Sequence, residues 1–210
     1  MAYIEIRNYS KQIKNNKVLD DISIDFEKGK VYGFNGRNGC GKSMLFKAIC
    51  GLVYSKEGSI KIDGKVLFED MDIPQSVGAL IENPGFFPHL TGFENLKLLA
   101  DINSQIGKEQ IQTYLNHFHL DTNKKYKQYS LGMKQRLGII QALMENPELI
   151  ILDEPMNGLD DEHIDIVKDT ILELRNKNKC ILLASHSKED LIYLCDEIYH
   201  MDKGKIKGRL

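Results

Sequence analysis

The chain has 210 residues, with 28 Lys and Arg against 30 Asp and Glu, a formal charge of −2 at pH 7. At roughly 150 residues per domain this predicts one large domain with a sizeable core, and the near-neutral balance supplies no overall basic field for nucleic acid. The apolar fraction is 42%, yet apolar runs such as Leu149 to Leu152 and Cys180 to Ala184 fall far short of the roughly 20 residues that span a bilayer. The start, Met1-Ala2-Tyr3-Ile4-Glu5-Ile6-Arg7, carries charge where a secretory signal needs an apolar core, so a cytosolic chain is expected. Cys40, Cys50, Cys180 and Cys195 form no Cys-x-x-Cys pair, which points to neither a zinc site nor a redox dithiol.

In chain order, Val18 to Phe26 alternates with Ile22, Ile24 and Phe26 on one face, and Lys30 to Phe34 runs into a glycine-rich turn. This predicts strand, turn and strand. Lys42 to Cys50 places Leu45, Phe46, Ala48 and Ile49 at helical spacing and stops at Gly51. Gly58 to Val66 reads as a hairpin with Asp63-Gly64 at its turn, and Val77 to Ile81 as a further short strand. Glu94 to Ala100, Lys108 to Phe118 and Leu131 to Met144 have helical periodicity. Leu149 to Leu152 and Cys180 to Ala184 read as strands buried on both faces of a parallel sheet, joined by a crossover helix from Asp160 to Asn176. The fold class is α/β. Residues 1–84 and 146–210 form the core of a single 210-residue domain, and 85–145 form a helical subdomain.

Residues 36 to 43 read Gly-Arg-Asn-Gly-Cys-Gly-Lys-Ser, the Gly-x-x-x-x-Gly-Lys-Ser/Thr phosphate loop between a strand and a helix. Its glycines let backbone N–H groups face phosphate oxygens, and the helix start adds about half a positive charge. Lys42 reaches the β and γ phosphates and the Ser43 hydroxyl ligates magnesium. Asn35, Gly36, Arg37, Asn38, Gly39, Cys40, Gly41, Lys42, Ser43 and Met44 are the expected nucleotide-binding run. Asp153 and Glu154 follow a strand at its C-terminal end, where open α/β sheets place ligands. Alone such a pair reads as a solvated turn. Behind a phosphate loop, Asp153 holds magnesium through water and Glu154 is the general base.

Tyr129-Ser130-Leu131-Gly132-Met133-Lys134-Gln135-Arg136 resembles the signature motif of ABC-transporter ATPases, Leu-Ser-Gly-Gly-Gln-x-Gln-Arg. Ser130, Gly132, Gln135 and Arg136 match; Tyr129, Leu131 and Met133 depart. Gly158-Leu159-Asp160 looks like the family's D-loop and Ser185-His186 like its switch histidine, so the resemblance covers nearly the whole chain. It implies the ABC ATPase fold: a phosphate-loop core with a mostly parallel sheet, an antiparallel N-terminal β subdomain and a helical insertion. It implies ATP and magnesium as cofactors and His186 at the γ-phosphate. It further implies a head-to-tail dimer, of two copies or of paralogues, with Ser130, Gly132 and Asp160 facing ATP held by the other subunit.

The family's adenine-stacking aromatic falls here on Ile13, so either an aliphatic side chain supports the base or Tyr9 swings in. Met44 replaces a common second hydroxyl. Glu82 stands where most of the family has a magnesium-touching glutamine, and makes a third candidate metal ligand. Glu82, the stretch Pro84 to Leu96 and the Ser-Leu-Gly-Met-Lys-Gln-Arg signature look like the bacitracin-resistance and lantibiotic-immunity branch of ABC exporters. Phe86 and Phe87 read either as aromatics that dock a membrane permease near Glu82 to Leu90 or as local core packing. Lys203, Lys205, Lys207 and Arg209 line one side of an extended tail, toward anionic lipid or simply solvated. Cys40, beside helix-start amides, is a candidate alkylation site.

The resulting expectation is an ATPase subunit on the inner face of the membrane that powers a separate permease exporting a peptide antibiotic. The alternative is a soluble non-transport ABC ATPase acting on a cytosolic assembly; nucleic acid is not an expected partner.

Overall fold

Two long strands, β1 (Ile4–Ile13) and β2 (Asn16–Phe26), open the computed structural model, which describes residues 2–82, 85–121 and 123–209. Their antiparallel register pairs Ile4 with Phe26 and Ile6 with Ile24, turning an apolar row inward. The central strand β3 (Lys30–Asn35) leads through the glycine loop into α1 (Lys42–Ile49). Next come β4 (Glu57–Ile62) and β5 (Lys65–Val66), a hairpin whose turn residues Asp63 and Gly64 both have positive φ, the geometry that matches strand twist. After β6 (Val77–Leu80) come α2 (Gly92–Asn103), α3 (Lys108–His117) and α4 (Leu131–Leu143). The chain ends with β7 (Leu149–Asp153), α5 (Asp161–Asn176), β8 (Cys180–Ala184), α6 (Lys188–Leu194), β9 (Glu197–Asp202) and β10 (Lys205–Arg209).

One sheet has the order β2-β1-β4-β5 and is antiparallel; the other has the order β10-β9-β3-β8-β7-β6 and is parallel except for β10. Burial on both faces explains the continuous apolar runs. Leu149 and Ile151 of β7 pack toward α1 and the antiparallel sheet, while Ile150 and Leu152 pack toward α4 and α5. The two apolar clusters are the two sides of one parallel sheet. Gly78 in β6 holds α4 close: a Cβ there would lie 1.7 Å from the Ala142 carbonyl oxygen.

Three features differ from the sequence expectation. β1 lengthens the antiparallel sheet, and the short α6 and the β9–β10 hairpin extend the core. The basic tail is a paired edge strand: Lys203 and Gly204 form a two-residue turn at positive φ, Lys205 pairs with Asp20 at 2.9 Å and Arg209 with Glu197 at 3.3 Å. Lysines on an edge strand discourage pairing with another chain.

Candidate active site

The loop from β3 to α1 is built by close backbone approaches. A Cβ on Gly36 would meet the Met201 carbonyl at 2.3 Å, and Gly41 has φ +116 with the Val18 carbonyl 2.9 Å from where its Cβ would be. Gly41 caps α1 without a side-chain hydrogen bond. The first amides of the helix therefore remain available to an anion. Lys42 is 6% exposed, and its ammonium donates to the Gly36 carbonyl at 2.7 Å across the loop.

β7 delivers the acidic pair to this loop. Asp153, in register with Ala184 of β8, accepts a hydrogen bond from the Ser43 hydroxyl. Glu154 leaves the strand at φ +53, a left-handed conformation uncommon for a residue with a side chain, with its N–H on the Ala184 carbonyl at 3.0 Å. The His186 N–H donates to Glu154 Oε2 at 3.1 Å and His186 Nε2 lies 3.2 Å from Oε1. The second contact is close but lacks hydrogen-bond alignment, so buried Oε1 retains an unused acceptor. Burial pushes the Glu154 carboxyl above its usual range, against the opposing pull of His186 and Lys42.

Ser43, Asp153, Glu154 and Glu82 line one cavity of about 530 Å³ with Asn38, Gly39, Cys40, Gly41, Lys42 and Met44. Asn35, at the end of β3, and Gly36 and Arg37, on the loop, lie outside that lining, and so does Ile13, which is 42% exposed. Val18 lines the cavity instead, and begins the alternating run visible in the sequence. Tyr9 does not swing in: it is 3% exposed, with its hydroxyl on the Val53 carbonyl at 2.7 Å. Cys40 is buried against Gly36, so its thiol is shielded rather than presented for alkylation.

Gln135, from the first turns of α4, also lines the cavity and donates to the carbonyls of Glu154 at 2.9 Å and Pro155 at 3.1 Å. It ties the Glu154–Pro155 turn to the start of α4, a role the motif spacing does not announce. Ser130 caps α4, accepting from Met133 N–H at 3.2 Å. Gly132 lies against the Gly158 carbonyl, 2.7 Å from where its Cβ would be. Asp160 caps α5 and accepts from the His163 N–H at 3.1 Å; the His163 contact holds its carboxyl below the usual range. Ser130, Gly132 and Asp160 all lie outside the lining of the Lys42 cavity.

Phe86 and Phe87 both line a second cavity with Leu52 and Leu98, but Phe86 is half-buried against Tyr126, ring centroids 5.3 Å apart, whereas Phe87 is 64% exposed. Asn83 and Pro84 of the expected docking stretch lie outside the described residues.

The profile of the ABC transporter family matches residues 19–157. The chain belongs to the ABC transporter family. It is 42% identical over 206 residues to YybJ, an uncharacterised ABC transporter ATP-binding protein of Bacillus subtilis, covering 97% of this chain and 94% of that one. It is 38% identical over 207 residues to the bacitracin transport ATP-binding protein BcrA of Enterococcus faecalis, covering 97% and 67%. It is 35% identical over 205 residues to the lantibiotic transport ATP-binding protein SrtF of Streptococcus pyogenes, covering 97% and 88%. A solved ATP-binding subunit of an ABC transporter superposes with TM-score 0.89 at 27% identity, covering 99% of this chain and 89% of that one. This ABC transporter ATP-binding subunit is thus an ATPase that binds ATP. Among its described residues no helix is long and apolar enough to cross a membrane.

The donor set fits magnesium. No three His, Cys, Asp or Glu side chains converge as a metal cage among the described residues, but the Ser43 hydroxyl and Asp153 carboxylate offer hard oxygen ligands beside a phosphate loop. Such a pair suits a cation shared with substrate phosphates rather than one enclosed by protein.

Proposed function

We propose that the ATPase drives a separately encoded membrane permease that exports a peptide antibiotic of the bacitracin or lantibiotic class. The likeness to BcrA over 97% of the chain carries this reading, and the likeness to SrtF supports it. The 210 residues act as one ATPase domain, with 85–145 as its helical subdomain, held at the inner face of the membrane through the permease. Phe87, exposed beside the 350 Å³ cavity lined by Leu52 and Leu98, offers the apolar contact that such a permease needs.

In the nucleotide site, Lys42 exchanges the Gly36 carbonyl for substrate phosphates while the free amides of α1 bind their oxygens. Ser43, Asp153 and Glu82 are the candidate magnesium ligands. When bound, magnesium neutralises charge on the phosphates. Glu154 accepts the proton of the attacking water on Oε1, the acceptor left unused, and His186 holds the carboxylate in place and meets the γ-phosphate. Ser130, Gly132 and Asp160, outside their own chain's cavity, serve ATP held by a second copy or a paralogue.

Purification of this chain with the membrane proteins encoded beside it, followed by peptide-sensitivity tests with wild type and Glu154→Gln, tests the reading. Co-purification and resistance lost in the variant are expected. Resistance unchanged by Glu154→Gln overturns it.

A further inference from the structure

Glu82 adds a third carboxylate, after Asp153 and Glu154, to the wall of a cavity that receives polyphosphate. At contact distances such a charge opposes phosphate binding unless it is neutralised. Lys47 reaches Glu82 Oε1 with its ammonium at 2.6 Å. Lys47 is four residues beyond Ser43 on α1, so hydroxyl and ammonium lie one above the other on the same helix face. It does not itself line the cavity. Glu82 leaves the end of β6 in the left-handed region, at φ +60, which turns its side chain back toward α1 rather than along the strand.

We propose that Lys47 is a positioning residue for the nucleotide site, the built-in counter-ion that lets a glutamate occupy position 82. Lys47 affects nucleotide affinity through Glu82 and not by touching the nucleotide. Its contribution is largest without a divalent cation, because a cation at Ser43 and Asp153 supplies alternative positive charge to the same carboxylate. The pairing also explains why a carboxylate on this wall does not exclude ATP. The proposal rests on the assignment of the Lys42 cavity to ATP.

The test is a double-mutant cycle read by equilibrium titration with a fluorescent ATP analogue, once with magnesium and once with EDTA, on wild type, Lys47→Met, Glu82→Gln and the double variant. Melting temperatures of the nucleotide-free proteins report folding separately. Lys47→Met is expected to weaken binding about threefold to tenfold in EDTA, the effect of one partly screened charge. The loss is smaller with magnesium, absent when the same change is made in Glu82→Gln, and reversed by Lys47→Arg. Equal loss in both backgrounds, or no loss in wild type, overturns the proposal. Lys42→Ala separates the two readings: if that variant binds the analogue as wild type does, the assignment of the cavity to ATP fails instead.

Discussion

Glu154 and His186 meet across the ends of two adjacent parallel strands, with the His186 N–H on Oε2 at 3.1 Å and the imidazole Nε2 3.2 Å from Oε1. One carboxylate oxygen is thereby pinned by backbone and the other is left buried without a hydrogen bond. As the proposed base, a carboxylate held in this way needs no reorganisation before accepting a proton. Glu154→Gln preserves the shape and removes the basicity, so turnover is expected to fall by about a hundredfold or more while ATP binding persists. His186→Ala keeps the backbone hydrogen bond and loses only the imidazole, so its turnover lies between those two proteins. Phosphate release and nucleotide titration on the three proteins measure both effects.

Gln135 ties the start of α4 to the turn that carries Glu154, through the Glu154 and Pro155 carbonyls. Gln135→Leu leaves the Pro155 carbonyl without this partner and the Glu154 carbonyl with only the Asn157 N–H at 3.2 Å, in a half-buried setting, a cost of about 1–3 kcal/mol. The expected result is a lower melting temperature together with a fall in kcat that exceeds any change in ATP affinity, since the phosphate loop itself is untouched. A kcat equal to wild type would remove Gln135 from the positioning of Glu154.

What the sequence revealed of this architecture follows from how each element is buried. β7 and β8 are apolar on both faces and short, and their runs are legible without any partner. The phosphate loop is legible because backbone geometry dictates its glycines. β1 was hidden by its own irregularity, with register shifts between Ile6 and Gln12 and a left-handed Asn8 that break the alternation. β9 is mostly half-buried and β10 alternates lysine with Ile206 and Gly208, so neither has the contrast of a core strand. Gln135 and Lys47 bond to groups that only the fold brings near: Lys47 and Glu82 are 35 residues apart.

Asn95 clamps the segment that presents Phe87. It is 2% exposed, its Oδ1 accepts from the Phe87 N–H at 2.8 Å, and its Nδ2 donates to the carbonyls of Phe87 at 3.1 Å and Thr91 at 2.9 Å. Asn95→Ala breaks all three bonds and is expected to cost about 2–3 kcal/mol. Phe87→Ala, at an exposed site, is expected to change stability by no more than about 0.5 kcal/mol yet to reduce recovery of the permease in co-purification. Unaltered recovery with Phe87→Ala would mean that the permease contacts another surface.

Glu148 joins Lys28 at 2.7 Å and Lys179 at 2.8 Å at the N-terminal end of the parallel sheet, and these hydrogen bonds hold its carboxyl below the usual range. A folded-state pKa below the unfolded one gives stability that is fully present above the unfolded value, about 4.3 for Glu, and disappears as pH falls through the folded value. Lys179 is 5% exposed and also donates to the Asn146 carbonyl at 3.1 Å, so it keeps one partner when Glu148 is replaced. The carboxylate itself is 40% exposed, and solvent screening limits its worth to about 1 kcal/mol. Glu148→Gln is therefore expected to be less stable than wild type by about that amount at pH 7. The gap should close as the pH is lowered, because wild type loses the same charge by protonation. Urea melts of both proteins from pH 7 to pH 3 check it, and a gap that persists at the acidic end would show that packing rather than charge accounts for the difference.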